Sequence, residues 1–222
     1  MRILITGASR GIGKALVKHY IQAGHEVWAG CRHPDLSNHQ TSANLHLLEL
    51  DVTDAKMIET VAADFQFSLD LIINNAGVAG GREHSFGELD YSAWQEAFVV
   101  NTLAPVRIAE AFLHHLAKSG QGKFVTLSSQ MASMNLPGSG AYGYRSTKAA
   151  VNKVMQLLTD DLKKYSIACL TLHPGWVRTD MGGSRADISV EQSVSGMAQV
   201  IENLDLPTTG SFRTWEGELH PW

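Results

Sequence analysis

The sequence predicts a doubly wound parallel α/β sheet in three layers, built as a single domain over residues 1–222. Three observations predict it. Short apolar runs of strand length alternate with longer amphipathic runs along the chain. The apolar runs are near-continuous, the pattern of parallel strands covered on both faces. The first of them opens into a glycine-rich turn, TGASRGIG, ahead of a helical pattern. In such sheets ligands sit at the carboxyl ends of the strands, near a switch point, so the residues after each strand carry the functional question.

RILIT predicts the first strand, and GIGKALVKHYIQAG a helix ending on Gly24. HEVWAGCR and LHLLELDV read as strands. DAKMIETVAADF is helical, with Thr53 or Asp54 as its N-cap. LDLIINNAG is a buried strand running into a turn. Residues 92–120 form one long helical pattern, with a bend expected at Pro105. GKFVTLSS is a strand, residues 144–165 a long helix and IACLTLHPG a strand. SVEQSVSGMAQVIENL is a helix, and TGSFRTWEGELHPW closes with a short strand.

Composition narrows the class. Hydrophobic residues make up 44% and charged residues 18%, as in a globular protein, and the net charge is −4. No basic block is present, which argues against nucleic acid or a membrane as partner. No run approaches the roughly 18 apolar residues that span a bilayer. The first apolar run lacks the form of a secretion signal, and a cytoplasmic location is expected. Cys31 and Cys169 lie in strand-like runs and are expected as buried free thiols. The ten histidines show no metal-ligand spacing, so no metal is expected.

After the first strand, Gly7, Gly11 and Gly13 enclose Ser9, Arg10 and Ile12. Bare backbone there admits a pyrophosphate to the helix N-terminus. A tight strand-to-helix corner would use the same glycines. After the second strand, Cys31 stands where an acid would grip a ribose hydroxyl, and Arg32 follows. Arg32 and Arg10 suit the 2′-phosphate of NADP(H) over NAD(H), with Asp35 a counter-signal. After the third strand, Asp51 can accept from an adenine amino group while Val52 packs on the ring. After the fourth, Asn75, Ala76 and Gly77 can lie along the adenine ribose, although Asn74-Asn75 also suits a structural turn.

Reduction of a carbonyl needs a proton as well as a hydride. Tyrosine is a weak acid, and a nearby ammonium favours its ionised form. Lys148 follows Tyr144 by four residues, on one helix face, whereas Tyr142 has Ser146 at that spacing. That spacing selects Tyr144 as the acid. Ser128 and Ser129 end a strand just before, and a hydroxyl there can steady the substrate oxygen. Asn101 is an amide in an apolar helical stretch that can hold a water for a proton relay from Lys148.

Together Thr6-Gly7-x3-Gly11-x-Gly13, Asn74-Asn75-Ala76-Gly77, Asn101, Ser129, Tyr144-x3-Lys148 and His173-Pro174-Gly175 resemble the short-chain dehydrogenase/reductase family over nearly the whole chain. AYGYRSTKAAVN, HPGWVRTDMGG and WEGELHPW resemble its C-factor-like and sniffer-like carbonyl reductase branch. The resemblance implies a Rossmann-type fold and an NADP(H)-dependent reductase of a small carbonyl compound. It implies Tyr144 as general acid, Lys148 as its tuner, Ser129 on the substrate oxygen and Asn101 in the relay. It places Pro174, Gly175, Val177 and Thr179 beside the nicotinamide, and implies a homodimer or homotetramer through the long helices. The family's usual spacing of 13 residues between serine and tyrosine would lead from Ser129 to Tyr142. A loop longer by two residues keeps Tyr144. Only SRADISV separates WVRTDMGG from the next helix, which predicts an open site. A catalytically idle dinucleotide sensor is the competing reading, and the four intact residues argue against it. An extended-type epimerase would need more chain.

Overall fold

Ile3, Leu4 and Ile5 are fully buried, so the first strand, β1 (Arg2–Thr6), is covered on both faces. In this computed structural model, which describes residues 1–81 and 86–222, β1 lies inside a seven-stranded sheet of order β3-β2-β1-β4-β5-β6-β7. The other strands are β2 (Glu26–Cys31), β3 (Leu45–Glu49), β4 (Leu71–Asn74), β5 (Lys123–Leu127), β6 (Ala168–His173) and β7 (Ser211–Thr214). Every pairing is parallel. The strand order reverses between β1 and β4, which makes the ends of those two strands the switch point.

Helices α1 (Gly11–Gln22) and α6 (Val190–Glu202) cover one face. There Leu16, Val17, Val194, Met197 and Ile201 pack on Ile3, Ile5 and Leu170. Helices α2 (Ala55–Asp64), α4 (Ala104–Ala117) and α5 (Tyr142–Lys163) cover the other. There Ile58, Ile108, Phe112, Val151 and Met155 pack on Leu4, Ile72 and Phe124. Successive strand side chains serve the two layers in turn. Asp54, not Thr53, caps α2 by accepting from the Met57 N–H. Cys31 and Cys169 are buried free thiols, as expected. Among the described residues no helix is long and apolar enough to cross a membrane.

Two boundaries differ from expectation. The run at 92–120 is not one bent helix: α3 (Tyr91–Phe98) passes through a π-helical turn, Val99–Leu103, into α4. The Ala104 N–H reaches back five residues to the Val99 carbonyl. Pro105 has no N–H for the Asn101 carbonyl four residues earlier, and the ladder takes in its extra residue just upstream. Helix α5 also starts two residues early, so Tyr142 and Tyr144 both lie in its first turn.

The segment after β7 folds back on it. Arg213 bridges antiparallel to Leu219, with bonds from the Thr214 N–H to the Glu218 carbonyl and from the His220 N–H to the Phe212 carbonyl. At the other end of its layer, α6 starts in a capping box, with Ser189 Oγ accepting the Gln192 N–H and the Gln192 side chain accepting the Ser189 N–H. Ser189→Ala is expected to cost about 1 kcal/mol. Urea unfolding would show it as a lower midpoint at unchanged slope.

Candidate active site

The turn after β1 and the end of β4 are tied together. Thr6 Oγ1 accepts the N–H groups of Asn75 and Ala76 at 3.2 Å each. Asn75 Nδ2 donates to the carbonyls of Thr6 and Gly7 at 2.9 Å each. Gly7 has φ +64, and a Cβ on it would stand 2.7 Å from Ala76 Cα. A Cβ on Gly13 would collide with the Gly7 carbonyl oxygen. Side chains at these two positions would therefore part the strands or tilt α1 away.

This join forms the floor of a cleft of about 260 Å³. Gly7, Ser9, Arg10, Gly11, Ile12 and Gly13 line it from β1 and α1, and Cys31 and Arg32 from β2. Asp51 and Val52 follow β3, and Asn75, Ala76 and Gly77 follow β4. Tyr144 and Lys148 come from α5, and Pro174 and Thr179 from the loop after β6. Two residues expected beside them do not line it. Val177 is buried in a main-chain bridge to Ile188, and Gly175 turns at φ +86 against Ile188 and Trp215.

The charges around the cleft are unequal in freedom. Arg10 pairs with Asp180 at 3.2 Å, both well exposed. Arg32 is exposed and makes no ion pair with any described residue. Asp51 Oδ1 is engaged by the Thr53 N–H and hydroxyl at 2.9 and 2.8 Å.

Tyr144 lines the cleft, whereas Tyr142 is 40% exposed with its ring 6.3 Å from that of Trp94. Lys148 is buried, with Nζ donating to the Leu127 carbonyl at 2.7 Å and lying 5.9 Å from the Tyr144 ring centroid. Burial pushes its pKa down to about 8. Ser129 Oγ accepts the Met131 N–H at 3.2 Å, so its own O–H remains able to donate. Ser128 lines the cleft, which Ser129 does not, and its hydroxyl is engaged in donating to Asn152 Oδ1 at 2.6 Å.

The Asn101 side chain is held on both of its polar atoms. Its Oδ1 accepts the Val78 N–H and its Nδ2 donates to the Val78 carbonyl, both at 2.9 Å, and to Thr147 Oγ1 at 3.0 Å. The side-chain amide therefore braces the strand 4 exit and α5. Gly80 and Gly143 share this brace unheralded: a Cβ on Gly143 would strike the Gly80 carbonyl. Their signal was only a glycine beside the tyrosine. His173, just before Pro174, is held neutral, because burial and then His220 push its pKa down to about 4.

A parallel sheet of this order with a glycine turn at its switch point defines a Rossmann-type protein. Residues 1–188 match the family model described as short chain dehydrogenase, and the chain belongs to that oxidoreductase family. It is 38% identical to the C-signal protein of Myxococcus xanthus over 156 residues, 69% of this chain and 93% of that one. It is similar to the NADPH-bound carbonyl reductase from chicken fatty liver, with TM-score 0.89 and 33% identity, over 100% of this chain and 98% of that one. It is also similar to carbonyl reductase Sniffer of D. melanogaster, with TM-score 0.91 and 29% identity over 100% and 99%.

The Lys148 ammonium carries a linkage prediction. Its folded pKa of about 8 lies below the ordinary lysine value of 10.5, so between them the unfolded chain binds more protons. Stability from this group therefore rises with pH through that window. Wild type is expected to gain up to about 3 kcal/mol on Lys148→Met across it, read by urea unfolding at stepped pH.

Proposed function

We propose that the chain is an NADP(H)-dependent reductase that converts an aldehyde or ketone to an alcohol, with Tyr144 as the proton donor. One observation carries this reading: Tyr144 and Lys148 line the same cleft as the bare glycine turn and Arg32. The residues fit a dinucleotide. Bare Gly7 and Gly13 let the turn after β1 close on the end of β4 and on α1, and the α1 N-terminus favours a pyrophosphate. Arg32, free of ion pairs among the described residues, suits a 2′-phosphate. Asp51 and Val52 suit the adenine end, and Pro174 and Thr179 the nicotinamide end.

The bound nicotinamide would supply a hydride to the carbonyl carbon. Tyr144 gives its phenolic proton to the carbonyl oxygen. Ser129 donates its free O–H to the same oxygen as charge develops there. The Lys148 ammonium, facing the Tyr144 ring, stabilises the phenolate left behind. Its bond to the Leu127 carbonyl holds it in that position. The Asn101 amide contributes by fixing the Val78 turn and Thr147.

The test is NADPH and NADH oxidation, followed by absorbance against aldehydes, diketones and quinones. Tyr144→Phe is expected to lower kcat about 10³-fold, within the range of a lost general acid. Tyr142→Phe should remain near wild type. Arg32→Ala should raise the KM for NADPH about tenfold, as for one charge-assisted hydrogen bond, and leave NADH unchanged. Activity that survives Tyr144→Phe but not Tyr142→Phe would overturn the assignment. The likeness to the C-signal protein supports a second reading, a dinucleotide-binding signalling protein. Tight NADPH binding without turnover of any carbonyl would favour it.

A further inference from the structure

Ser129 sits at the start of a short 3₁₀ turn, Gln130–Ala132. Beyond that turn, residues 133–141 carry no helix or strand. Local hydrogen bonds within 129–133 do not by themselves locate such a turn relative to the sheet. Packing of Gln130–Ala132 on α5 locates it from one side, and a long-range hydrogen-bonded contact holds its far end. Ser133 is buried, and its Oγ donates to the Trp222 main-chain oxygen at 3.0 Å while accepting the Asn135 N–H at 3.2 Å. The Met134 N–H donates to the same Trp222 oxygen at 3.1 Å. One main-chain oxygen, 89 positions from Ser133 in sequence, thus receives two donors from the end of the Ser129 turn.

Trp222 is itself held. Its ring lies 5.4 Å from that of Phe212, a fully buried residue of β7. The His220 ring lies 4.6 Å from the same Phe212 and 5.8 Å from His173, the residue before Pro174. The main-chain bonds of residues 218–220 to β7 complete the anchoring. Segment 218–222 therefore runs as a strap from β7, past the end of β6, to the turn that follows β5. None of Ser133, Phe212, His220 and Trp222 lines the dinucleotide cleft.

We propose that this strap is part of the substrate half of the site, with Ser133 and Trp222 as positioning residues that hold the turn presenting the Ser129 hydroxyl. The kinetic side of this inference rests on the reductase reading. The strap's own effect on the turn does not. A hydroxyl that must meet a developing oxyanion works only if its position is set before the reaction. The strap sets it from the sheet and leaves the phosphate cradle untouched.

The experiment uses the full chain with Ser133→Ala, Ser133→Thr, Trp222→Ala and Trp222→Phe. Three quantities are read: amide hydrogen exchange at residues 131–135 without ligand, NADPH affinity by fluorescence, and kcat and KM for a carbonyl that wild type reduces. Ser133→Ala, which deletes one hydrogen bond, and Trp222→Ala, which removes the ring contact that anchors the strap, are each expected to speed exchange at 131–135 about tenfold. Both should lower kcat about tenfold with NADPH affinity within about twofold of wild type. Ser133→Thr restores the hydroxyl and Trp222→Phe the ring contact, and both should recover these values. Unchanged exchange at 131–135 would overturn the proposal, and so would kcat and NADPH affinity falling together. If wild type reduces no carbonyl at all, the reductase reading fails, and the exchange measurement alone decides whether the strap holds the turn.

Discussion

The close approach of the turn after β1 to the end of β4 is the constraint on which the rest of the site depends. It exists because Gly7 and Gly13 have no side chains and because Asn75 and Thr6 bond across the gap. The approach falls where the strand order reverses. Helix α1 therefore starts at the switch point with its free N–H groups directed over the cleft. Arg32 after β2, Asp51 after β3 and Gly77 after β4 line the same cleft. Pulling the two ends apart would separate every group that is proposed to share one ligand.

The chemistry depends on a second placement, at the start of α5. Tyr144 and Lys148 share a helix face, but the lysine is useful only because its ammonium is kept at the end of β5. The Leu127 carbonyl holds it there, and burial makes it readier to lose its proton than a surface lysine. The π-helical turn at Val99–Leu103 swings Asn101 toward Val78 and Thr147. The backbone leaving β4 and the first turns of α5 are thereby fixed to each other. The helix that carries tyrosine and lysine and the strand end that floors the cradle are separate elements that meet at this brace.

Much of this was legible in the sequence for definite physical reasons. Strand runs buried on both faces lose their alternation, so β1, β2, β4, β5 and β6 could be read from apolar runs. The glycines at 7, 11 and 13 and the four-residue step from Tyr144 to Lys148 are local patterns, and local patterns survive in sequence. What was not legible depends on contacts made at long range or on a shift of one residue. Pro105 announced a disturbance but not that the helix would widen before it. Asn101 showed an amide in an apolar stretch, whereas only the fold shows that Val78 and Thr147 engage it. Val177 and Gly175 sit beside Pro174 in sequence, yet their turn faces Ile188 and Trp215. Nothing local in WEGELHPW indicates that Trp222 will meet Ser133.

The central claim is that the glycine join at β1 and β4 builds a dinucleotide cradle. The most direct measurement is NADPH titration of wild type and Gly13→Ala by fluorescence, with far-UV circular dichroism confirming that both are folded. The account predicts saturable binding to wild type and a loss of at least about a hundredfold in Gly13→Ala, whose Cβ meets the Gly7 carbonyl. A folded Gly13→Ala that binds NADPH as wild type does, or a wild type that binds no nicotinamide dinucleotide, would contradict it.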